Sequence, residues 1–88
     1  MRNKKLILSE PFEKLLRKLP GEIQKTTFEK LELFQRDPSH PSLRVKKMKG
    51  TRAIWEMSVT MHYRITFEVL KDAVYLRRIG VHDILDRP

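Results

Sequence analysis

Three histidines are the residues of this chain best suited to proton transfer, and their positions differ. His40 stands in a predicted loop and His62 in a predicted turn, where a polar surface role accounts for each of them. His82 follows Gly80 and Val81 at the end of the last predicted strand. An imidazole titrates near neutrality and can take or give a proton there. His82 is therefore the histidine that the sequence favours for acid–base chemistry.

Basic residues dominate one short stretch of the chain. The sequence has 19 Lys and Arg against 11 Asp and Glu, which gives a net charge of +8. No acidic residue occurs between Pro38 and Trp55. The basic residues of that stretch are Arg44, Lys46, Lys47, Lys49 and Arg52. A local cationic surface favours a polyanionic partner, which is nucleic acid, an acidic protein or an anionic membrane, and we expect a binding face here.

Several classes of function are excluded by what the sequence lacks. The 88 residues contain no cysteine, which rules out disulfides, thiolate metal sites and cysteine nucleophiles. Three glycines leave little room for a nucleotide-cradling loop, and no metalloprotease or serine-hydrolase motif is present. The apolar runs are too short for a membrane span or a signal peptide. We expect one domain over residues 1–88, in the cytoplasm, with no metal, cofactor or membrane partner.

Two helices are predicted in the first half of the chain, after a short edge strand at Lys5 to Leu8. Ser9 offers an N-cap hydroxyl to the first helix, and the apolar residues after it recur at helical spacing. Pro20-Gly21 ends this helix, and the second runs from near Glu22 to Asp37. Their short connection predicts an antiparallel helical hairpin.

Beyond Pro41 the hydrophobic period changes from helical to two, which predicts strands. Gly50-Thr51 and Lys71-Asp72 are turn signals, and the last strand spans Ala73 to Val81. The predicted order is β-α-α-β-β-β. It indicates an α+β fold in which a helical hairpin packs on one face of a mainly antiparallel four-stranded sheet.

Alternation assigns side chains to the two faces of this sheet. The residues expected to face the helices are Trp55, Met57, Tyr63, Ile65 and Phe67. The residues expected to face away are Glu56, Ser58, Arg64, Thr66 and Glu68. The second face, bordered by a basic strand at 44–49, is predicted to be an open cationic trough that suits a phosphate backbone.

Four stretches of the chain stand in an order and at a spacing typical of one protein family. They are Pro41–Gly50, Ile54–Glu56, Tyr63–Phe67 and the ending Arg78–Asp83. Through them the chain resembles the RelE/ParE superfamily of toxins from bacterial toxin–antitoxin systems, and its ending is similar to that of the YafQ-type branch. The likeness covers nearly the whole chain and implies a RelE-like fold. For the RelE and YafQ branches it also implies cleavage of messenger RNA, commonly during translation on the ribosome.

The resemblance implies roles for individual residues. Arg64 matches the arginine that holds the scissile phosphate in that family, and His82 matches the catalytic histidine of the YafQ-type branch. The resemblance implies RNA contacts for Lys46, Lys47 and Lys49, and the charge of the basic stretch adds Arg44 and Arg52 to the predicted RNA-binding residues. The chain departs from RelE where that toxin has a pair of catalytic lysines, because Trp55 and Met57 stand there, and it has no terminal tyrosine.

Metal-independent cleavage of RNA needs a base for the ribose 2′-hydroxyl, cations for the phosphorane and an acid for the leaving 5′-oxygen. Our hypothesis gives the phosphate to Arg64, the leaving-group proton to His82 and the base role to Glu56 or Lys47. Glu56 has a competing interpretation, which is an ion pair with Arg64 across the sheet. Lys47 has one too, which is a phosphate contact only.

The function predicted for the chain is that of a type II toxin–antitoxin toxin that acts as an mRNA endoribonuclease on translated messages. Two alternatives stay open: a ParE-like inhibitor of DNA gyrase, and an inactive toxin-like protein that only binds antitoxin. A non-catalytic nucleic-acid-binding module is a further rival, but the predicted sheet lacks paired exposed aromatics for stacking. The expected protein partner is an acidic cognate antitoxin that masks the cationic face.

Overall fold

The computed structural model describes residues 1–50, 53–81, 84 and 86–88. Its strands are β1 (Lys5–Leu8), β2 (Lys46–Lys47), β3 (Ile54–Ser58), β4 (Arg64–Val69) and β5 (Ala73–Gly80). Its helices are α1 (Glu10–Arg17) and α2 (Gly21–Arg36), and a 3-10 helix spans Pro41–Leu43. The α+β class and the two-helix segment after the first strand are confirmed.

The strands form one sheet in the order β1-β5-β4-β3-β2. β1 runs parallel to β5, and the other described neighbours pair antiparallel, so the mainly antiparallel arrangement is confirmed. The predicted count of four strands is wrong by one. The fifth strand in the structure is β2, a two-residue edge strand within the predicted basic stretch at 44–49, which the four-strand count did not include.

The predicted basic strand at 44–49 is shorter than the alternation indicated. Arg44 adopts a left-handed backbone with φ of 48° at the end of the 3-10 helix. Leu43 and Met48 are both buried, although strict alternation would place them on opposite faces. The left-handed residue interrupts the extended backbone before β2, whose Lys46 and Lys47 pair with Glu56 and Trp55 of β3.

The start of α1 is tied to the sheet through Ser9. The Ser9 hydroxyl oxygen accepts a hydrogen bond from the backbone N–H of Phe12 at 3.1 Å, as the predicted N-cap requires. The same hydroxyl donates to the main-chain oxygen of Arg77 on β5 at 2.9 Å. The buried Ser9 side chain therefore caps α1 and joins the start of this helix to β5.

The core lies between the two long helices and one face of the sheet. Phe12 of α1, Phe34 of α2 and Phe67 of β4 are completely buried. The rings of Phe34 and Phe67 meet edge to face with centroids 5.2 Å apart. Met57 and Ile65 are also fully buried, which confirms that the inward face of β3 and β4 was assigned correctly. The side chains of β3 and β4 that face away from the helices are therefore held by strands that are packed against the core.

A β-bulge interrupts the pairing of β4 with β5. Thr66 pairs with Arg78, whereas Phe67 pairs with Leu76, so Arg77 has no partner in the ladder. Leu76 and Ile79 are both buried and lie three residues apart rather than two. The extra residue changes the phase of the strand, so that Arg77 bonds to residues on the sheet face opposite the helices.

Candidate functional site on the sheet face opposite the helices

Arg64 begins β4 on the face opposite the helices, as its position in the alternation predicts. Its Nη1 donates to Glu56 Oε1 at 2.9 Å and to Ser58 Oγ at 3.4 Å. Ser58 is the residue paired with Arg64 in the ladder, and Glu56 lies two residues further along β3. The Arg64 side chain is 22% exposed, so it is held in place and still reaches solvent. A guanidinium in this position can present a planar fork to a phosphate.

Glu56 is the buried member of this ion pair. Its side chain is only 6% exposed, and its Oε1 accepts the hydrogen bond from Arg64 Nη1 at 2.9 Å. The competing interpretation of Glu56 as the ion-pair partner of Arg64 is therefore confirmed as geometry. Its role as a general base stays a prediction, while its contact makes it a positioning residue for the guanidinium.

The trough predicted on this face is not open at its centre. Glu56 and Ser58 are 5% and 6% exposed, and Thr66 is completely buried. The first two bond to the Arg64 side chain, and the Thr66 hydroxyl donates to the main-chain oxygen of Pro88 at 3.0 Å. The expectation of an open face is corrected, because Pro88 lies against Thr66 and Arg77 on this face.

The lysines of β2 lie on opposite sides of their strand. Lys46 pairs with Glu56 and Lys47 pairs with Trp55. Because directly paired residues share a face, Lys46 lies on the face of Glu56 and Arg64, whereas Lys47 does not. Both side chains are exposed. This register does not support Lys47 as the base next to Arg64, and it makes Lys46 the nearer source of positive charge.

Replacing Lys46 by alanine should weaken RNA binding several-fold more than replacing Lys47 by alanine. Loss of one phosphate contact should also reduce the slope of log affinity against log salt by about 0.7 for a single strand, and we expect that reduction for Lys46. Fluorescence anisotropy with a non-cleavable oligoribonucleotide over a salt series measures both quantities. Equal effects of the two substitutions would contradict the assignment of faces.

Arg44 and Lys49 are the other basic residues of the predicted RNA-binding set that the structure describes. Arg44 is exposed and lines a shallow cleft with Lys30 and Ser42. Lys49 is exposed in the turn that ends with Gly50, which has a φ of 77°. Arg52 lies outside the described residues. The cleft beside Arg44 also includes Ser58, whose Oγ accepts a hydrogen bond from Arg64.

His40 and His62 have the polar surface roles that the sequence suggested for them. His40 caps the 3-10 helix, because its Nδ1 accepts a hydrogen bond from the backbone N–H of Ser42 at 3.2 Å. His62 is exposed in the turn between β3 and β4, where its backbone N–H bonds to Thr60 Oγ1. His82 lies outside the described residues, so its catalytic role stays a prediction.

Sequence reasoning did not single out Arg77. Its Nη1 donates to Glu68 Oε2 at 2.5 Å, and its Nε donates to the main-chain oxygen of Pro88 at 3.0 Å. Strict alternation counted from the buried Ile79 would place Arg77 on the helix-facing side of the sheet, away from Thr66. The available signal was the spacing of Leu76 and Ile79, since two apolar core residues three apart in a strand indicate a bulge.

Comparison with family models and with curated proteins finds no match. Solved structures do match over nearly the whole chain. A chain of the RelB–RelE antitoxin–toxin complex from Methanococcus jannaschii is 27% identical, with a TM-score of 0.73, over 92% of this chain and 95% of that one.

Two further solved structures are similar at lower identity. A copper-bound mutant toxin from Helicobacter pylori is 23% identical, with a TM-score of 0.67, over 91% of this chain and 96% of that chain. A mutant of the E. coli toxin RelE in its free state is 19% identical, with a TM-score of 0.71, over 92% of this chain and 85% of that chain.

Two helices packed on a mainly antiparallel sheet make this chain similar in fold to the RelE-type toxins. The fold is that of the RelE-type toxins, as the sequence resemblance implied. Among the described residues, no helix has the length and apolar character needed to cross a membrane.

Proposed function

We propose that this chain is the toxin of a type II toxin–antitoxin system and that it cleaves messenger RNA during translation in the cytoplasm. The observation that carries the proposal is the position of Arg64. A buried carboxylate, that of Glu56, holds its guanidinium at 2.9 Å on the sheet face opposite the helices. This arrangement occurs in a chain with the RelE fold, beside an edge strand of exposed lysines. It provides a fixed phosphate-binding fork on a basic surface.

The proposed reaction is transfer of the phosphodiester to the neighbouring ribose 2′-oxygen. The 2′-hydroxyl loses its proton to a base as its oxygen bonds to phosphorus, and the bond to the 5′-oxygen breaks. Arg64 stabilises the charge that develops on the phosphorane oxygens. His82 gives the proton that the leaving 5′-oxygen needs. No metal or cofactor is required in this scheme.

Glu56 has two candidate roles in this scheme, and they predict different consequences of the same substitution. As a positioning residue it needs only an oxygen that accepts from Arg64, which glutamine at position 56 also supplies. As the base it needs a carboxylate that can be protonated. Our proposal gives Glu56 the positioning role first, because its carboxylate already bonds Arg64 and is nearly excluded from solvent.

An acidic antitoxin is the proposed protein partner. The chain carries a net charge of +8, and its exposed lysines lie along one sheet edge. Such a surface attracts an acidic segment that folds as it binds. The similar structure from Methanococcus jannaschii is described as an antitoxin–toxin complex, which supports the proposal. A bound antitoxin would neutralise the surface that RNA needs.

The proposal is tested by adding the purified chain to a cell-free translation system and mapping message ends by primer extension. We expect new 5′ ends within the translated region, and protein synthesis should fall as they accumulate. A parallel supercoiling assay with DNA gyrase tests the ParE-like alternative. Intact messages together with inhibited supercoiling would replace our proposal by gyrase inhibition. Intact messages without gyrase inhibition would leave a toxin-like protein that only binds antitoxin.

A further inference from the structure

One oxygen atom near the end of the chain occupies a binding position on the sheet. The main-chain oxygen of Pro88 accepts a hydrogen bond from Thr66 Oγ1 at 3.0 Å and another from Arg77 Nε at 3.0 Å. Thr66 has no exposed surface, and the Arg77 side chain is 35% exposed. A hydroxyl and a guanidinium that converge on one oxygen form the donor set that also suits an oxyanion.

The donors of this position are fixed by the fold. The bulge in β5 brings Arg77 to the face opposite the helices, and Glu68 Oε2 holds its Nη1 at 2.5 Å. The salt bridge therefore orients the guanidinium and leaves its Nε directed at the Pro88 oxygen. Thr66 belongs to the central part of β4, whose backbone is paired on both sides. Neither donor depends on the end of the chain for its placement.

The position stands next to the proposed phosphate site. Arg64 and Thr66 are two residues apart on β4, so their side chains share a face at a separation of about 6.6 Å along the strand. Successive phosphates of an extended RNA strand are separated by a comparable step. A strand whose scissile phosphate binds Arg64 would therefore carry a neighbouring phosphate toward Thr66 and Arg77.

We propose that Thr66 and Arg77 form a second phosphate subsite, and that the Pro88 oxygen occupies it until RNA displaces the end of the chain. The inference rests on the proposed function, since the ligand is the phosphodiester next to the one cleaved. The Pro88 oxygen and a phosphate oxygen are both acceptors for the same two donors, so only one of them can occupy the position at a time. The end of the chain thus competes with RNA and lowers its apparent affinity.

The hydrogen bonds to Pro88 can be disturbed from a distance, by a substitution at Gly80 that leaves Thr66, Arg77 and Pro88 in place. A Cβ added to Gly80 would lie 2.8 Å from Ile84 Cγ2. Gly80→Ala should therefore push Ile84 outward and lift the segment that leads to Pro88. Adding Ile84→Ala to Gly80→Ala removes the colliding methyl group and should let the segment return.

The experiment measures binding of a fluorescent 2′-O-methyl oligoribonucleotide, which cannot be cleaved, to full-length variants. We expect Gly80→Ala to raise affinity about three- to tenfold, and Gly80→Ala with Ile84→Ala to return it toward the parent value. The slope of log affinity against log salt should steepen by about 0.7 in Gly80→Ala, as one further phosphate is neutralised. Unchanged or lower affinity in Gly80→Ala would overturn the inference.

A second pair of variants tests the subsite itself. Thr66→Val removes the hydroxyl donor at nearly constant volume, and Arg77→Lys keeps the charge next to Glu68 but loses the Nε donor. Each should lower RNA affinity more in the Gly80→Ala background than in the parent, because the parent subsite is already filled by Pro88. Equal losses in both backgrounds would mean that the end of the chain does not compete with RNA.

The binding readout is independent of cleavage, so failure of the proposed function is recognised separately. If no message is cut but Gly80→Ala raises affinity and Thr66→Val cancels the rise, the phosphate subsite stands and the nuclease proposal falls. If messages are cut but the four variants bind as the parent does, the nuclease proposal stands and the subsite falls. The Arg77 Nε–H resonance provides a further readout, since it should shift in Gly80→Ala and shift again when RNA is added.

Discussion

Replacing Arg64 by alanine should lower the rate of message cleavage by about 10²–10³-fold, the loss typical when one fixed donor to a transition-state oxyanion is removed. The guanidinium is held by Glu56 at 2.9 Å before substrate binds, so no reorganisation is needed as negative charge develops. Single-turnover cleavage of a defined message under saturating toxin measures the effect. Arg36→Ala, at the exposed end of α2, is the matched control and should cut at the parent rate.

The same substitution has a structural consequence that the assay must separate from chemistry. Without Arg64, the nearly buried Glu56 carboxylate loses its cation, and breaking a buried pair costs about 3–5 kcal/mol in the usual case. Because the arginine side chain is 22% exposed, we expect the lower end of that range. Arg64→Lys retains the charge and loses the planar fork, so it should fold and still cut slowly. Cleavage at the parent rate by a folded Arg64→Ala protein would remove Arg64 from the mechanism.

Glu56→Gln completes this series because it separates positioning from base catalysis. The amide oxygen can still accept the hydrogen bond from Arg64, whereas it cannot take the proton of the 2′-hydroxyl under the assay conditions. With Glu56 in the positioning role, this variant should keep most of the activity. Loss of cleavage as large as that of Arg64→Ala, with unchanged RNA affinity, would instead assign Glu56 as the base.

Replacing His82 by alanine should slow cleavage by about 10²–10⁴-fold, the usual contribution of a well-placed acid or base. The physical reason is that the leaving 5′-oxygen departs as a strongly basic alkoxide unless it is protonated. The prediction rests on the sequence position of His82 and on the family resemblance, because this residue lies outside the described part of the chain. The pH dependence of single-turnover cleavage should lose one limb in His82→Ala.

His62→Ala is the matched control for His82, since His62 is an exposed turn residue. It should cut messages with the parent rate and pH profile. Partial rescue of His82→Ala by added imidazole would show that a proton donor is what the variant lacks. A His82→Ala protein that arrests translation and cuts messages as the parent does would assign the acid to another group.

The sequence by itself determined the elements and the faces of the sheet. The spacing of Phe12 and Leu16 predicted a helix with one buried stripe, and alternation placed Met57 and Ile65 in the core. Local period carries this information, because the pattern of burial repeats with the geometry of each element. The same alternation placed Arg64 and Glu56 on one face of neighbouring strands, which allows the ion pair between them. That residues 1–88 form one domain stays a prediction.

Only the tertiary structure showed which residues surround Arg64 and which of them cover the predicted open face. The left-handed backbone at Arg44 shortened the basic strand, and the bulge at Arg77 placed a second guanidinium on the face opposite the helices. Pro88 bonds to Thr66 across 22 residues, and no periodicity can signal a contact between segments so far apart. Long-range contacts depend on how several elements pack at once, whereas sequence periodicity reports each element alone. The basic surface was therefore readable from the residues, while its partial closure required the fold.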